Sequence, residues 1–394
     1  MKPRTGLVAA ALAGALAGAA IMLTLPVPGV PLEPVSPPQP PAGAVRGAAP
    51  VPTLLAWTPG GLPGGFADAV RRLPGVRAAA EVRSGTAWLS AWRDRSGQTQ
   101  RPPKGFQVPV EVAAVQPAGY TAFVPPADRA AIEALAGGGV LLGETSAGLR
   151  GMGSGGTLRF GPRSLRVEGV IADELVGAHE VVVSARTGAR LGVTSPPYLL
   201  VLPREGASPR AIERGVRRSV PPGTRIRVRA PGETPVFRHG DAVLPPVRLK
   251  ALFGEFPARP DGDGTITPDP AWVRANIRTA RVPILGEIHC HRRIIPLFRA
   301  ALAELARRGL GNLIQGYAGC FSPRFANFNP TSGLSHHSWG VAFDINAAQN
   351  PLGAEPTMDP RMVEVMRRWG FTWGGLWLVP DGMHFEFQRF PSLG

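Results

Sequence analysis

No helix or sheet interior can run through residues 26–52. Prolines recur there every one to three positions from Pro26 to Pro41, and again at Pro50 and Pro52. Each ring fixes φ and removes a backbone donor, so the stretch reads as a semi-rigid polyproline spacer, about 3 Å per residue where extended. It divides the chain. Ahead of it lies an apolar segment, and behind it remain about 340 residues, enough for two domains with buried cores.

In the leading segment Lys2 and Arg4 precede a charge-free run from Gly6 to Leu25. That run has the length of a membrane span rather than of a signal-peptide core. Residues 1–25 are therefore expected to be an uncleaved signal anchor, with a cleaved signal peptide as the alternative. The basic end stays cytoplasmic and the remainder lies outside, in the cell envelope. Both cysteines, Cys290 and Cys320, fall in the C-terminal part, and in that compartment two cysteines of one domain are expected to pair.

The net charge of +15 is almost wholly arginine, since only Lys2, Lys104 and Lys250 are lysines. Arginine suits carboxylates and phosphates, which admits an anionic wall polymer as readily as nucleic acid. No run of five basic residues marks a nucleic-acid tail, and no nucleic-acid partner is expected.

Residues 53–244 read as α+β. Leu54 to Trp57 is a strand, a helix carries Phe66, Val70 and Leu73, and Val76 to Val82 is another strand. The order returns as a strand from Tyr198 to Leu202, a helix from Pro209 to Val220 and a strand from Thr224 to Val228. Two such units predict paired halves of one sheet. Between them, Gly151 to Gly156 leads into a strand rather than a helix and lacks a Gly-Lys-Ser/Thr ending, so it reads as a turn and not a phosphate loop. The stretch from Gly138 to Ile171 resembles the extracytoplasmic core domain of macrolide-exporter-type ABC permeases. That resemblance implies an envelope protein as a partner for this region.

Residues 245–394 carry the chemistry. Ser335-His336-His337-Ser338-Trp339-Gly340-Val341-Ala342-Phe343-Asp344 is followed, 40 residues on, by His384 in Asp381-Gly382-Met383-His384. A catalytic zinc takes three ligands from His and carboxylate and keeps one position open. His337, Asp344 and His384 supply that set. Gly340 permits a tight reversal, and Val341 to Ile345 reads as a strand that puts Ala342 and Asp344 on one face. Asp381, three residues before His384, is placed to take a proton from water without ligating the metal. His336 adjoins a ligand, and successive side chains cannot both face the metal, so it is expected beside the site or at the surface. Glu386 is expected to support His384. His289-Cys290-His291 suggests a metal clip, which pairing of Cys290 would abolish. Asp261 to Pro270 matches no calcium loop and reads as turns in which Asp269 or Pro270 starts a helix.

The pattern Ser-x-His-x-x-Gly-x-Ala-x-Asp, then acid-x-x-His, is similar to the zinc D-Ala-D-Ala carboxypeptidase, D,D-dipeptidase and L-alanyl-D-glutamate endopeptidase family. The likeness runs from about Phe253 to Phe390. It implies Zn²⁺ on His337, Asp344 and His384, Asp381 as general base, and Ser335 orienting substrate or ligand. It also implies a small α+β domain around an antiparallel sheet, and peptidoglycan stem peptides as substrate. Many members carry a Tyr-Arg-Ser segment upstream, whereas here Gly316 to Arg324 stands in its place and Arg324 is the substitute for the substrate-binding arginine. The alternative is a zinc-containing domain that binds cell wall or regulates without catalysis.

Overall fold

The computed structural model describes residues 51–231, 233 and 238–391. The segments expected to be an anchor and a spacer lie outside these, save Val51 and Pro52. Among the described residues no helix is long and apolar enough to cross a membrane.

The two strand–helix–strand units are present and interleave. The first comprises Leu54–Trp57, a helix Phe66–Arg71 and Val76–Leu89; the second comprises Tyr198–Pro203, a helix Pro209–Arg218 and Arg227–Arg229. In space the strands run 227–229, 54–57, 198–203, 76–89, all antiparallel, so each unit's strands alternate with the other's in a split β-α-β arrangement. Phe66 and Val70, one turn apart, and Ile212 and Val216 bury the two helices on Leu54, Leu199 and Val201. The last strand begins at Arg227 rather than Thr224. Pro221 and Gly223 form a turn, closed by Thr224 N donating to Pro221 O at 3.1 Å, and that turn consumes the expected strand's start.

Residues 90–197 extend this sheet and roll it. Strand Val108–Val115 pairs with Val76–Leu89, then Val181–Ser184, Val140–Gly143, Arg163–Ile171 and Thr157–Phe160 follow in order. Thr157–Phe160 then pairs with Ala91–Arg93, which continues Val76–Leu89 past Ser90. The path thus returns to the strand it left. Alternate residues fill the inside, among them Leu89, Val110, Val112, Leu142, Val181 and Leu158. The glycine-rich stretch before Thr157 is a turn leading into a strand, as its sequence predicts.

The C-terminal part is α+β around a four-stranded antiparallel sheet ordered Tyr317–Gly319, Ala342–Ile345, His384–Phe387, Phe371–Trp373. Helix Ile295–Arg307 packs on one face because Phe298, Leu302 and Leu305 recur at helical spacing and are fully buried. The Phe298 ring stacks on Phe343 at 3.9 Å between centroids, and Phe371 and Phe385 complete the layer. Asp359 caps the helix Pro360–Arg368 by accepting from Arg361 N at 2.8 Å. Asp269 likewise caps Pro270–Asn276 through Ala271 N, so Asp261 to Pro270 is a turn and helix start. A hairpin, Ile277–Val282 with Gly286–His291, brings Cys290 to Cys320, and the two form the expected disulfide.

The two parts meet through a buried ion network. Lys250, on the helix Pro246–Phe253, donates to both oxygens of Glu180 at 2.8 and 2.9 Å. Arg150 donates to Glu180 at 2.9 Å and to Glu255 at 2.6 Å. Arg150, Glu180 and Lys250 are all buried, so each charge depends on the others for solvation. Gln107 and Ala258 also exchange backbone hydrogen bonds across the join, at 2.9 and 2.7 Å.

Candidate metal centre

The site lies on the sheet face opposite the phenylalanine layer. Asp344 and His384 are directly opposite each other on neighbouring antiparallel strands, as are Ala342 and Glu386. With a side-chain period of two, these four share one face while Phe343 and Phe385 point into the core. Small Ala342 leaves room beside Asp344 for the larger side chains.

His337 comes from the short helical turn His336–Trp339. Ser335 starts this turn, its Oγ accepting from His337 N at 3.3 Å, and Gly340 ends it at φ +64°. Any other residue at 340 would be strained, and a Cβ there would lie 2.9 Å from His291 N. Ser335 thus acts on His337 as a cap.

The three expected ligands converge. His337 Nε2 lies 3.3 Å from Asp344 Oδ2, His384 Nδ1 lies 3.1 Å from Asp344 Oδ1, and the two imidazole nitrogens are 3.3 Å apart. All three ligand atoms fall within 4.8 Å of one another. Among the described residues this is the group of three or more such side chains that could hold a metal ion, and His289-Cys290-His291 contributes to none. His289 Nδ1 instead meets Thr279 Oγ1 at 3.0 Å, and His291 Nε2 meets Phe253 O at 3.2 Å.

Both imidazoles are held from behind. His337 Nδ1 sits 2.9 Å from Cys320 O, which leaves Nε2 for a cation. The disulfide fixes that carbonyl's segment to the hairpin. His384 Nε2 sits 3.4 Å from Glu386 Oε2, and His336 Nδ1 is 2.8 Å from the same oxygen in an ion-pair contact. His336 is therefore buried beside the site, not at the surface.

The electrostatics favour positive charge. Burial alone would raise Asp344, but hydrogen bonds from His337 and His384 hold its carboxyl well below the usual range. Burial alone would lower His384, yet Asp344 and Glu386 push it up to about 10. Burial keeps His337 low. Two imidazoles with one carboxylate, their ligand atoms this close together, are a donor set that suits zinc.

Asp381 stands in the loop between Phe371–Trp373 and His384–Phe387. The strand ends at Trp373, and Gly374 turns the chain so that Asp381 N donates to Gly374 O at 3.0 Å. A Cβ at 374 would lie 2.7 Å from Asp381 O and 3.3 Å from His384 Cβ, so only glycine lets the loop close. Asp381 Oδ1 is buried and lacks a hydrogen-bond partner among the described residues. Burial pushes this carboxyl up, while His384 pulls it the other way. Arg324 is brought to the same site, with Nη2 4.0 Å from Asp344 Oδ2 and its guanidinium over the Phe328 ring at 5.3 Å. Trp373 Nε1 donates to Gly382 O at 2.8 Å, and the Trp377 ring lies 5.1 Å from that of His384. Two further groups hold the site from outside the motif: Cys320 O, a backbone atom, and Val243, whose amide donates to Glu386 Oε1 at 2.7 Å from 143 positions away. No residue-type signal marks either.

Residues 329–387 match the model of the D-alanyl-D-alanine carboxypeptidase family, a match that includes His337, Asp344, Asp381 and His384. No curated protein matches the chain. Among solved structures, the chain is similar to the periplasmic region of MacB from Actinobacillus actinomycetemcomitans, with 11% identity, a TM-score of 0.32, and 45% of this chain and 88% of that one covered. It is also similar to the extracellular domain of the noncanonic ABC-type transporter YknZ from Gram-positive bacteria, with 12% identity, a TM-score of 0.27, and 41% and 88% covered. The C-terminal part of the chain therefore carries a stretch like that of D-alanyl-D-alanine carboxypeptidases, set on the four-stranded sheet that holds the candidate metal centre.

Proposed function

We propose that the chain is a zinc-dependent peptidase that hydrolyses D-amino-acid-containing bonds of peptidoglycan stem peptides. One observation carries the reading. Two imidazoles and a carboxylate converge with their ligand atoms within 4.8 Å of one another, and the loop leading to His384 holds a buried carboxylate oxygen, Asp381 Oδ1, with no partner among the described residues.

Zinc, when bound, lowers the pKa of water and polarises a carbonyl oxygen. The chain's own residues do the rest. Asp381 takes the proton of the attacking water on its free oxygen and returns it to the leaving amine. Its raised affinity for a proton suits that double role. Arg324 pairs with a substrate carboxylate, and Trp377, whose ring lies beside that of His384, contacts the bound peptide. Cys320 O and Glu386 hold the two imidazoles in place.

The reading includes location. A disulfide within the domain fits an oxidising compartment, and residues 1–25 would anchor the chain with residues 26–52 spanning toward the wall. Residues 53–244 would form a domain that meets an envelope protein, and residues 245–394 the catalytic one.

The test incubates the zinc-loaded full-length protein with defined stem peptides and reads products by mass. Loss of one alanine identifies a carboxypeptidase, and an internal cut identifies an endopeptidase. Stoichiometric zinc without any cleavage would reject the peptidase in favour of a wall-binding role.

A further inference from the structure

The segment 238–245 arrives from the rolled-sheet side of the molecule and touches the metal centre at two places. Asp241 has its side chain 9% exposed, with Oδ1 3.2 Å from Arg229 Nη2 and 3.6 Å from Arg227 Nη2. Its other oxygen accepts from Leu378 N at 2.7 Å, in the loop that carries Trp377 and Asp381. Two residues on, Val243 N donates to Glu386 Oε1 at 2.7 Å. The remaining Glu386 oxygen faces His384 Nε2 and His336 Nδ1. Arg229 grips the same segment through Gly240 O at 2.7 Å and Arg238 O at 3.1 Å. Glu386 is thus aimed by a backbone amide whose own position is set by the strand Arg227–Arg229.

We propose that segment 238–245 is a strut through which the N-terminal part of the folded chain positions the metal centre, with Asp241 as its positioning residue. It rests on the metal-centre half of the proposed function and goes beyond it. A carboxylate behind a ligating imidazole fixes ring orientation and basicity, so a shift in Glu386 is felt at the metal. Asp241 also ties Leu378, and through it the Asp381 loop, to the same anchor. The metal domain would then reach its working geometry only with residues 53–231 in place.

The test loads the full-length protein with Co²⁺ in place of zinc. It compares the parent with Asp241→Ala, Asp241→Asn and Arg229→Met, the last of which cuts the strut at its far end. The visible cobalt band reports ligand geometry, and chelator competition gives affinity. We expect about a 10-fold or greater rise in the Co²⁺ dissociation constant and a shifted band for Asp241→Ala and Arg229→Met. Asp241→Asn, which keeps an acceptor for Leu378, should fall between these and the parent. On stem peptides, kcat should drop with KM little changed. If Asp241→Ala fails to fold, the other two variants carry the comparison. A lowered thermal midpoint with the parent's band and affinity would reduce the strut to packing and overturn the proposal. Parent protein that binds no Co²⁺ would overturn it together with the metal reading. Parent protein that binds Co²⁺ but cleaves nothing would sink the peptidase alone, because band and affinity still decide the strut.

Discussion

Replacing Asp381 by Asn should separate catalysis from metal binding. The side chain keeps its shape, and both backbone bonds at this position survive: Asp381 N to Gly374 O at 3.0 Å and His384 N to Asp381 O at 3.1 Å. The carboxylate has an oxygen with no hydrogen-bond partner among the described residues, so the substitution breaks no bond there. Metal affinity should therefore stay within about threefold of the parent, since a side chain that neither ligates nor orients a ligand lies outside the roughly 10- to 100-fold class of supporting residues. Stability should hold or rise slightly. Burial already makes the carboxyl resist ionisation, and the nearby Asp344 and Glu386 repel its charge. Turnover should fall by about 10²–10⁴, the usual contribution of a positioned base, which corresponds to roughly 3–5 kcal/mol of barrier. The assay is single-turnover cleavage of a stem peptide by the zinc-loaded variant, with zinc content measured on the same sample. Turnover within about tenfold of the parent would refute the general-base role. Loss of zinc would refute the geometry, because it would make Asp381 a ligand or a prop for His384.

Three further outcomes follow from the packing. Lys250→Met should cost about 3–5 kcal/mol in denaturant unfolding, since Glu180 loses both contacts to the ammonium group and, among the described residues, keeps Arg150 alone as an ion-pair partner in a buried setting; a cost under about 1 kcal/mol would mean the network is not closed. Gly374→Ala should lower zinc affinity and turnover together, because the added methyl meets Asp381 O and the His384 Cβ, and calorimetric zinc titration would read it. The fold should lose stability in acid in two stages. His239, lowered to about 4 by burial and by Arg238 and His179 beside it, stays neutral in the fold, so below pH 6.5 the unfolded chain takes up that proton first and stability falls as pH drops toward 4. Glu111, which burial would raise but Arg238 lowers to about 2, contributes stability that is whole above its ordinary range and is lost between about pH 4.5 and 2. Unfolding free energies from about pH 7 to 3 would show a decline of roughly 1–3 kcal/mol already by about pH 4; a flat profile over that range would contradict a neutral His239 in the fold.

What the sequence makes legible, and what it hides, divides by the range of the interaction. The metal ligands are readable because their constraint is local. Ser335 caps, Gly340 reverses, and a period of two puts Ala342 with Asp344 and His384 with Glu386, so two short stretches determine which atoms face the ion. The split β-α-β pairing is readable for the same reason, since Phe66 with Val70 and Ile212 with Val216 announce helices that need a sheet. Gly374 is not readable in this way, because its lack of a side chain serves a contact with Asp381 further along the loop. Lys250, one of three lysines in an arginine-rich chain, gives no sign that its partners are Glu180 and the carbonyl of Pro109.

The same distinction bears on how the two parts of the chain are related. A metal domain complete in itself would leave Glu386 to water or to its own loop. Here the amide that fixes Glu386 belongs to Val243, and the acid that fixes the Asp381 loop belongs to Asp241, itself clamped by Arg227 and Arg229. Nearby, the charges of Lys250 and Glu255 are compensated by Glu180 and Arg150 of the rolled sheet. Cutting the chain near residue 245 would therefore remove Asp241 and Val243 and leave Lys250 without the Glu180 counter-charge. A local motif can specify which atoms bind the ion, but the stiffness of those atoms is supplied by residues that the motif does not contain.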